Sequence, residues 1–182
     1  DASEAGEAIA GADAVWADWI AGHSGDPADR PVVDVRPEHL ARLGYTGGTT
    51  GRPKGVVHTQ ATASMNMLAH LVEMELRSDD RFLATSPLPH AAGTLHQAAL
   101  LAGAVTYIER GFDLDVLLDR IERDGVTYLF MVPTMIYRLL DRIERDPRDL
   151  SSLRTILYGA APITLERLRQ GLALLGPVFV QL

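Results

Sequence analysis

The sequence predicts an α/β protein: a parallel sheet with helices on both faces. Two observations carry this. Short apolar runs rich in β-branched and aromatic residues recur at 82–86, 104–109, 128–132, 155–158 and 178–182. Stretches of helical period separate them at 94–102, 113–124, 133–146 and 165–175, with short connections throughout. Strand alternating with helix in this way implies parallel strands covered from above and below.

Residues 1–40 read as an approach segment. Within it Val15, Trp16, Trp19 and Ile20 suggest a short amphipathic helix over 14–21, with the tryptophans as a packing patch. His23-Ser24-Gly25-Asp26-Pro27 breaks that helix. The first strand is placed at 41–46, a second at 56–59 and a helix at 61–76. Asn66 and His70 share one face of that helix at i and i+4 and read as polar edge residues. Pro133 suits a first helical turn, where its missing N–H costs nothing, and Thr164 suits an N-cap. The octapeptide 117–124 recurs unchanged at 139–146. Both copies turn Leu, Leu and Ile inward, and the predicted surface pairs are Asp119–Arg123 and Asp141–Arg145.

Composition limits the function. At 182 residues the chain is long enough to bury a substantial core, and its 47% apolar and 23% charged residues are ordinary for a globular protein. A net charge of −7 argues against a nucleic-acid-binding role, which usually needs a basic face. The lack of cysteine rules out disulfides and thiol chemistry and fits a cytoplasmic location. No apolar run reaches the ~18 residues of a membrane span. The acidic first residues do not resemble a secretory leader.

The most informative stretch is Tyr45-Thr46-Gly47-Gly48-Thr49-Thr50-Gly51-Arg52-Pro53-Lys54-Gly55. Glycines let backbone N–H groups converge on an anion, threonine hydroxyls donate to phosphate oxygens, and Lys54 adds a compact charge. A Walker A loop is excluded: the lysine follows proline, no hydroxyl residue follows it, and Val56-Val57-His58-Thr59 reads as strand. The loop therefore joins two strands.

This stretch resembles the AMP-binding signature of the adenylate-forming superfamily, which includes acyl-CoA synthetases, luciferases and peptide-synthetase adenylation domains. Gly47 departs from the usual pattern, where a hydroxyl is common. Two further segments are similar to family motifs. Pro87-Leu88-Pro89-His90-Ala91-Ala92-Gly93 matches Pro-x-x-His-x-x-Gly, which implies that His90 lies near the substrate carboxylate; His96 is a weaker neighbour. Gly159-Ala160-Ala161-Pro162 resembles the segment lining the adenine and acyl pockets.

The resemblance covers residues 41–182. It implies a flavodoxin-like layer of the family's large N-terminal domain, ending before the Tyr-Gly-x-Thr-Glu motif whose glutamate holds Mg²⁺. The implied reaction joins a carboxylate to ATP, giving acyl-adenylate and pyrophosphate, then a thioester with coenzyme A. Lys54 and His90 are the implied catalytic residues. Thr46, Gly47, Gly48, Thr49, Thr50, Gly51 and Lys54 would hold the nucleotide phosphates, Gly159, Ala160, Ala161 and Pro162 the adenine, and Thr46 the Mg²⁺. The expected partners are ATP, Mg²⁺, coenzyme A, a small carboxylic acid and the remaining parts of a longer parent. Amino-acid adenylation and a nucleotide-binding module without chemistry are the alternatives. An uncharged or apolar acid is favoured over an amino acid, because residues 87–96 offer no Asp or Glu to pair with an ammonium group.

Overall fold

The first two strands form a hairpin, in which β1 (Leu40–Thr46) pairs antiparallel with β2 (Lys54–Thr59). The structure, a computed structural model, describes Gly22, residues 33–46 and residues 53–182, with Thr46 described by its backbone alone. The helix and tryptophans expected at 14–21 and the loop residues Gly47 to Arg52 lie outside the described residues. Residues 1–36 and 37–182 form separate units; in the first, Arg36 pairs with Asp34 at 3.0 Å on an exposed strip. The second unit holds the hairpin and every later element.

The hairpin is a two-stranded sheet of its own and does not join the parallel sheet. β2 begins two residues earlier than its apolar run suggests, because Lys54 and Gly55 continue the ladder opposite Thr46 and Tyr45. A bulge near Ala41 sets the phase, so Arg42 faces His58 across the ladder.

Thr59 then caps α1 (Gln60–Glu73) in a reciprocal box: the Thr62 amide donates to the Thr59 hydroxyl at 3.3 Å, and the Thr59 amide to the Thr62 hydroxyl at 2.9 Å. The helix ends at Glu73 rather than 76, with Glu75 left-handed at φ 48° just beyond its cap. No residue of α1 is fully buried.

The remaining elements are β3 (Arg81–Ala84), α2 (Ala91–Ala102), β4 (Val105–Ile108), α3 (Leu114–Asp124), β5 (Tyr128–Met131), α4 (Pro133–Arg145), β6 (Thr155–Tyr158), α5 (Leu165–Leu175) and β7 (Phe179–Gln181). Five strands form one parallel sheet in the order β4-β3-β5-β6-β7. This is the flavodoxin-like order 2-1-3-4-5, with its direction reversing between β3 and β5.

Strand alternation divides the core in two. Leu83, Leu129, Met131 and Ile156 pack with Leu117, Leu118 and Ile121 of α3 and Ile136, Leu139, Leu140 and Ile143 of α4. Phe82, Ala84, Tyr128, Phe130 and Leu157 pack with Ala92, Leu95 and Ala99 of α2. Helices therefore cover both faces, as expected.

The two octapeptide copies both bury their Leu, Leu and Ile, but their charges behave differently. Arg123 pairs with Asp119 as predicted. The predicted Asp141–Arg145 pair does not form: Arg145 donates to the Asp141 carbonyl at 2.8 Å, while the Asp141 carboxylate pairs with Arg167 of α5. Asp141 gives its carboxylate to a cation of the neighbouring helix, whereas Asp119 keeps Arg123 on one oxygen and takes Arg148 on the other; exposed i,i+4 pairs are worth only a few tenths of a kcal/mol.

At the far edge, Gly171 sits in the middle of α5, where a Cβ would lie 2.6 Å from the Phe179 ring. The missing side chain makes the seat that docks β7.

Candidate functional site

The carboxyl ends of the strands carry the expected motifs. Ser86 to His90 follows β3, and Gly159 to Pro162 follows β6. His90 is the N-cap of α2, which begins at Ala91, three residues earlier than 94. His96 is thus the sixth residue of that helix and is half-buried, its Nδ1 unpartnered.

The His90 ring makes no capping bond. Its backbone is fixed instead: its N–H donates to the Pro87 carbonyl at 3.2 Å, and its carbonyl accepts from Gly93 at 3.0 Å. Gly93 is obligatory here, since a Cβ would stand 1.9 Å from the Leu88 carbonyl oxygen. The prolines stiffen the turn, Gly93 lets it press onto the helix, and the imidazole is left exposed.

His90 opens into a cavity of about 580 Å³ between the hairpin, α1 and α2. His58, Asn66 and His70 line it, with Arg42 and Thr94. A second lobe of about 490 Å³ shares Arg42, His58, Asn66, Pro89 and Thr94. Asn66, exposed, and His70, half-buried, are polar edge residues of α1 as their spacing suggested, and they border this cavity.

Two ring orientations follow from the bonding. A carbonyl only accepts, so the 2.7 Å contact between His70 Nδ1 and the Asn66 carbonyl puts a proton on Nδ1. A guanidinium only donates, so Arg42 at 3.4 Å makes His58 Nε2 the acceptor and leaves the proton on Nδ1. Among the described residues, neither lobe is lined by Asp or Glu.

The hairpin runs from this cavity to Thr46 and Lys54. Thr46 and Lys54 are paired in the ladder and bracket residues 47–53. Alternation along β2 places Lys54, Val56 and His58 on one face. Lys54 and His58 are four residues apart, roughly 13 Å along the strand.

The Gly159 to Pro162 turn does not line the His90 cavity; it stands at the same sheet edge two strands away. Ala160 is left-handed at φ 69°, a conformation costly for an alanine. Gly159 is buried, and a Cβ there would touch Leu182 at 3.4 Å, while Ala160, Ala161 and Pro162 are exposed. Thr164 caps α5 as expected, its hydroxyl accepting from the Arg167 amide at 3.3 Å.

Sequence reasoning did not single out Arg42 or His58 as site residues. The signal was present in period-two alternation: once the loop is read as a hairpin, the two side chains share a face. The bulge that sets their phase is not visible in residue types. Among the described residues no cluster of three His, Asp or Glu side chains could hold a metal.

Comparison with known proteins agrees with this fold. The AMP-binding enzyme family matches residues 2–182. A medium/long-chain-fatty-acid–CoA ligase of Mycobacterium tuberculosis is 38% identical over 156 residues, covering 85% of this chain and 27% of that protein. A feruloyl-CoA synthase of an Amycolatopsis species is 39% identical over 135 residues, covering 73% and 28%. Among solved structures, apo MatB from Rhodopseudomonas palustris superposes with a TM-score of 0.80 at 26% identity, covering 92% of this chain and 32% of that one. The amide bond synthetase McbA from Marinactinospora thermotolerans gives 0.72 at 33% identity, covering 87% and 32%. The chain thus spans about a quarter to a third of the length of these relatives. A match along nearly the whole chain, on a flavodoxin-like sheet whose hairpin carries the signature loop, places it in one group: this chain belongs to the AMP-binding enzyme family.

Proposed function

We propose that this chain is the phosphate- and acid-binding portion of an AMP-forming acid–thiol ligase of the acyl-CoA synthetase kind. One observation carries the reading: the ladder sets Lys54 beside Thr46 at the mouth of the Gly/Thr loop, on the strand face that also bears His58 of the cavity. The chain's relatives include two ligases that form CoA thioesters, which supports the same reaction class.

In this reading the chain would bind ATP, and a bound Mg²⁺ would supply charge neutralisation for its phosphates. Lys54 and the loop threonines hold the β- and γ-phosphates, with the Thr46 hydroxyl near Mg²⁺, and the Gly159 to Pro162 turn forms a wall for adenine. His90 orients the acid, whose carboxylate attacks the α-phosphorus as pyrophosphate departs. The coenzyme A thiol, losing its proton, would then attack the acyl carbonyl, and the bond to AMP would break, giving the thioester and AMP. The protein contributes chiefly position and preorganised charge.

The test is ATP–pyrophosphate exchange by a longer protein carrying this chain. Lys54→Ala is expected to slow exchange about a hundredfold, since one preorganised charge at such a site is worth roughly 3 kcal/mol. An unchanged rate would remove Lys54 from the site. The 182-residue chain alone is expected to form no acyl-adenylate, because the family's Mg²⁺ glutamate is not among its residues. Acid-dependent pyrophosphate release above a Lys54→Ala control would refute that.

A further inference from the structure

We propose that Arg42 and His58, with His70 opposite, form an anion-recognition site for a second acidic group on the acid, at the end remote from the reacting carboxylate. The proposal rests on the acid activation proposed for this chain and narrows its substrate to acids carrying a second carboxylate.

Charge makes the first argument. The protein carries 24 acidic and 17 basic side chains apart from histidine, a net of −7. Yet the described lining of the two lobes holds an arginine and three histidines and no carboxylate. Some arginines elsewhere are matched by acids, Arg120 by Glu109 and Asp124, Arg148 by Asp119 and Glu122 and Arg154 by Asp80, while Arg81 and Arg138 meet a carbonyl and a ring. Arg42 faces an imidazole instead. A guanidinium has five donors in a fixed fork, and the contact with His58 uses one nitrogen. The rest of the fork suits a carboxylate, for which such bidentate pairs are the strong case.

Ring orientation makes the second. His58 keeps its proton on Nδ1, so the nitrogen away from Arg42 is a donor. Asn66 fixes the proton of His70 on Nδ1, which leaves Nε2 as an acceptor for the protonated form of a carboxyl group or for another donor on the acid. Gln60, Ser64 and Gln97 give the adjoining lobe further polar walls.

Position makes the third. His58 lies roughly 13 Å along β2 from Lys54, farther than one phosphate group extends. The two ends of the hairpin are therefore too far apart to grip one phosphate group together. The proposal departs from the expectation of an uncharged acid, which rested on residues 87–96 rather than on the hairpin.

The experiment titrates the 182-residue chain while following its histidine imidazole signals by NMR. The probes are suberate, octanoate and inorganic pyrophosphate. Suberate is expected to shift the His58 and His70 signals and to bind about tenfold tighter than octanoate, the equivalent of one charge-assisted contact. Arg42→Gln should bring that ratio to about one, with far-UV circular dichroism confirming that the fold persists; His70→Gln, at a site outside the hairpin, should reduce it. Equal binding of the two acids, or no shift with either, would overturn the proposal. So would pyrophosphate moving the same signals as strongly as suberate, which would assign the cations to nucleotide phosphates. Lys54→Ala should leave the ratio unchanged. A suberate preference alongside exchange insensitive to Lys54 would sink the activation reading alone; Lys54-dependent exchange without the preference would sink this inference alone.

Discussion

The two ends of the parallel sheet are built on opposite lines. At the amino end, Asp80 is 2% exposed and fully engaged. It accepts from the Arg77 amide at 2.8 Å, the Thr127 hydroxyl at 2.7 Å and the Arg154 guanidinium. That one carboxylate ties together the entry to β3, the entry to β5 and the entry to β6. At the carboxyl end, the His90 ring and the Ala160 to Pro162 turn are exposed, and Ala160 holds a left-handed backbone. One end is tied down and the other leaves its turns exposed, at the end where open α/β sheets generally bind ligands.

Substitutions at each end sharpen that contrast. The largest loss of stability is expected from Asp80→Ala, about 3–5 kcal/mol, because the partly buried Arg154 loses its counter-charge. Urea unfolding measures it; a loss under 1 kcal/mol would show that the amino end is not the anchor. Next is Gly93→Ala, at about 1–3 kcal/mol, since its methyl group collides with the Leu88 carbonyl. Unlike Asp80→Ala, it should also displace His90, so its NMR shift changes should concentrate in the cavity.

Acid should weaken the amino end. Burial pushes the Asp80 carboxyl up, but Thr127, the Arg77 amide and Arg154 outweigh this and hold it below its ordinary value. The unfolded chain thus binds the proton more readily. The stabilisation is present above the ordinary carboxylate range and is lost as pH falls through the lower folded value. Between about pH 5 and pH 2 the unfolding midpoint should fall more steeply in the native chain than in Asp80→Asn. Parallel pH profiles would contradict the assignment.

The smallest effect is expected at the strained turn. Ala160→Gly exchanges a left-handed alanine for a residue at ease there, at some entropic cost, so stability should change by under about 1 kcal/mol in the favourable direction. A clear destabilisation would mean that the Ala160 methyl group is held by contacts that outweigh the strain.

Much of the fold was legible because each apolar run serves one role. The spans of β6 and α5 match their sequence patterns, since Gly, Pro and Thr164 mark their ends. Boundaries drifted where neighbours decide them. α2 starts at Ala91 because the Pro87 to His90 turn docks on it through Gly93, a three-dimensional fit that no periodicity shows. The order of His90 and Lys54 in the chain suggested a site, but the convergence of Arg42, His58 and His70 depends on a bulge and on helix placement. Asp80 was equally hidden: beside Asp79 it reads as a turn residue, and its partners lie 47 and 74 residues away.

The seat at Gly171 has a consequence for how the last strand opens. β7 is three residues long, and Val180 and Gln181 are exposed, so its hold depends on the Phe179 ring and on ladder bonds such as the 2.9 Å link from Leu182 to Tyr158. A ring lodged against a helix backbone cannot leave by degrees. The β7 amides and those of α5 around Gly171 should therefore exchange with deuterium as one cooperative unit, sharing a single opening free energy below that of the sheet centre. A side chain added at Gly171 would unseat the ring and let the strand exchange independently of the helix.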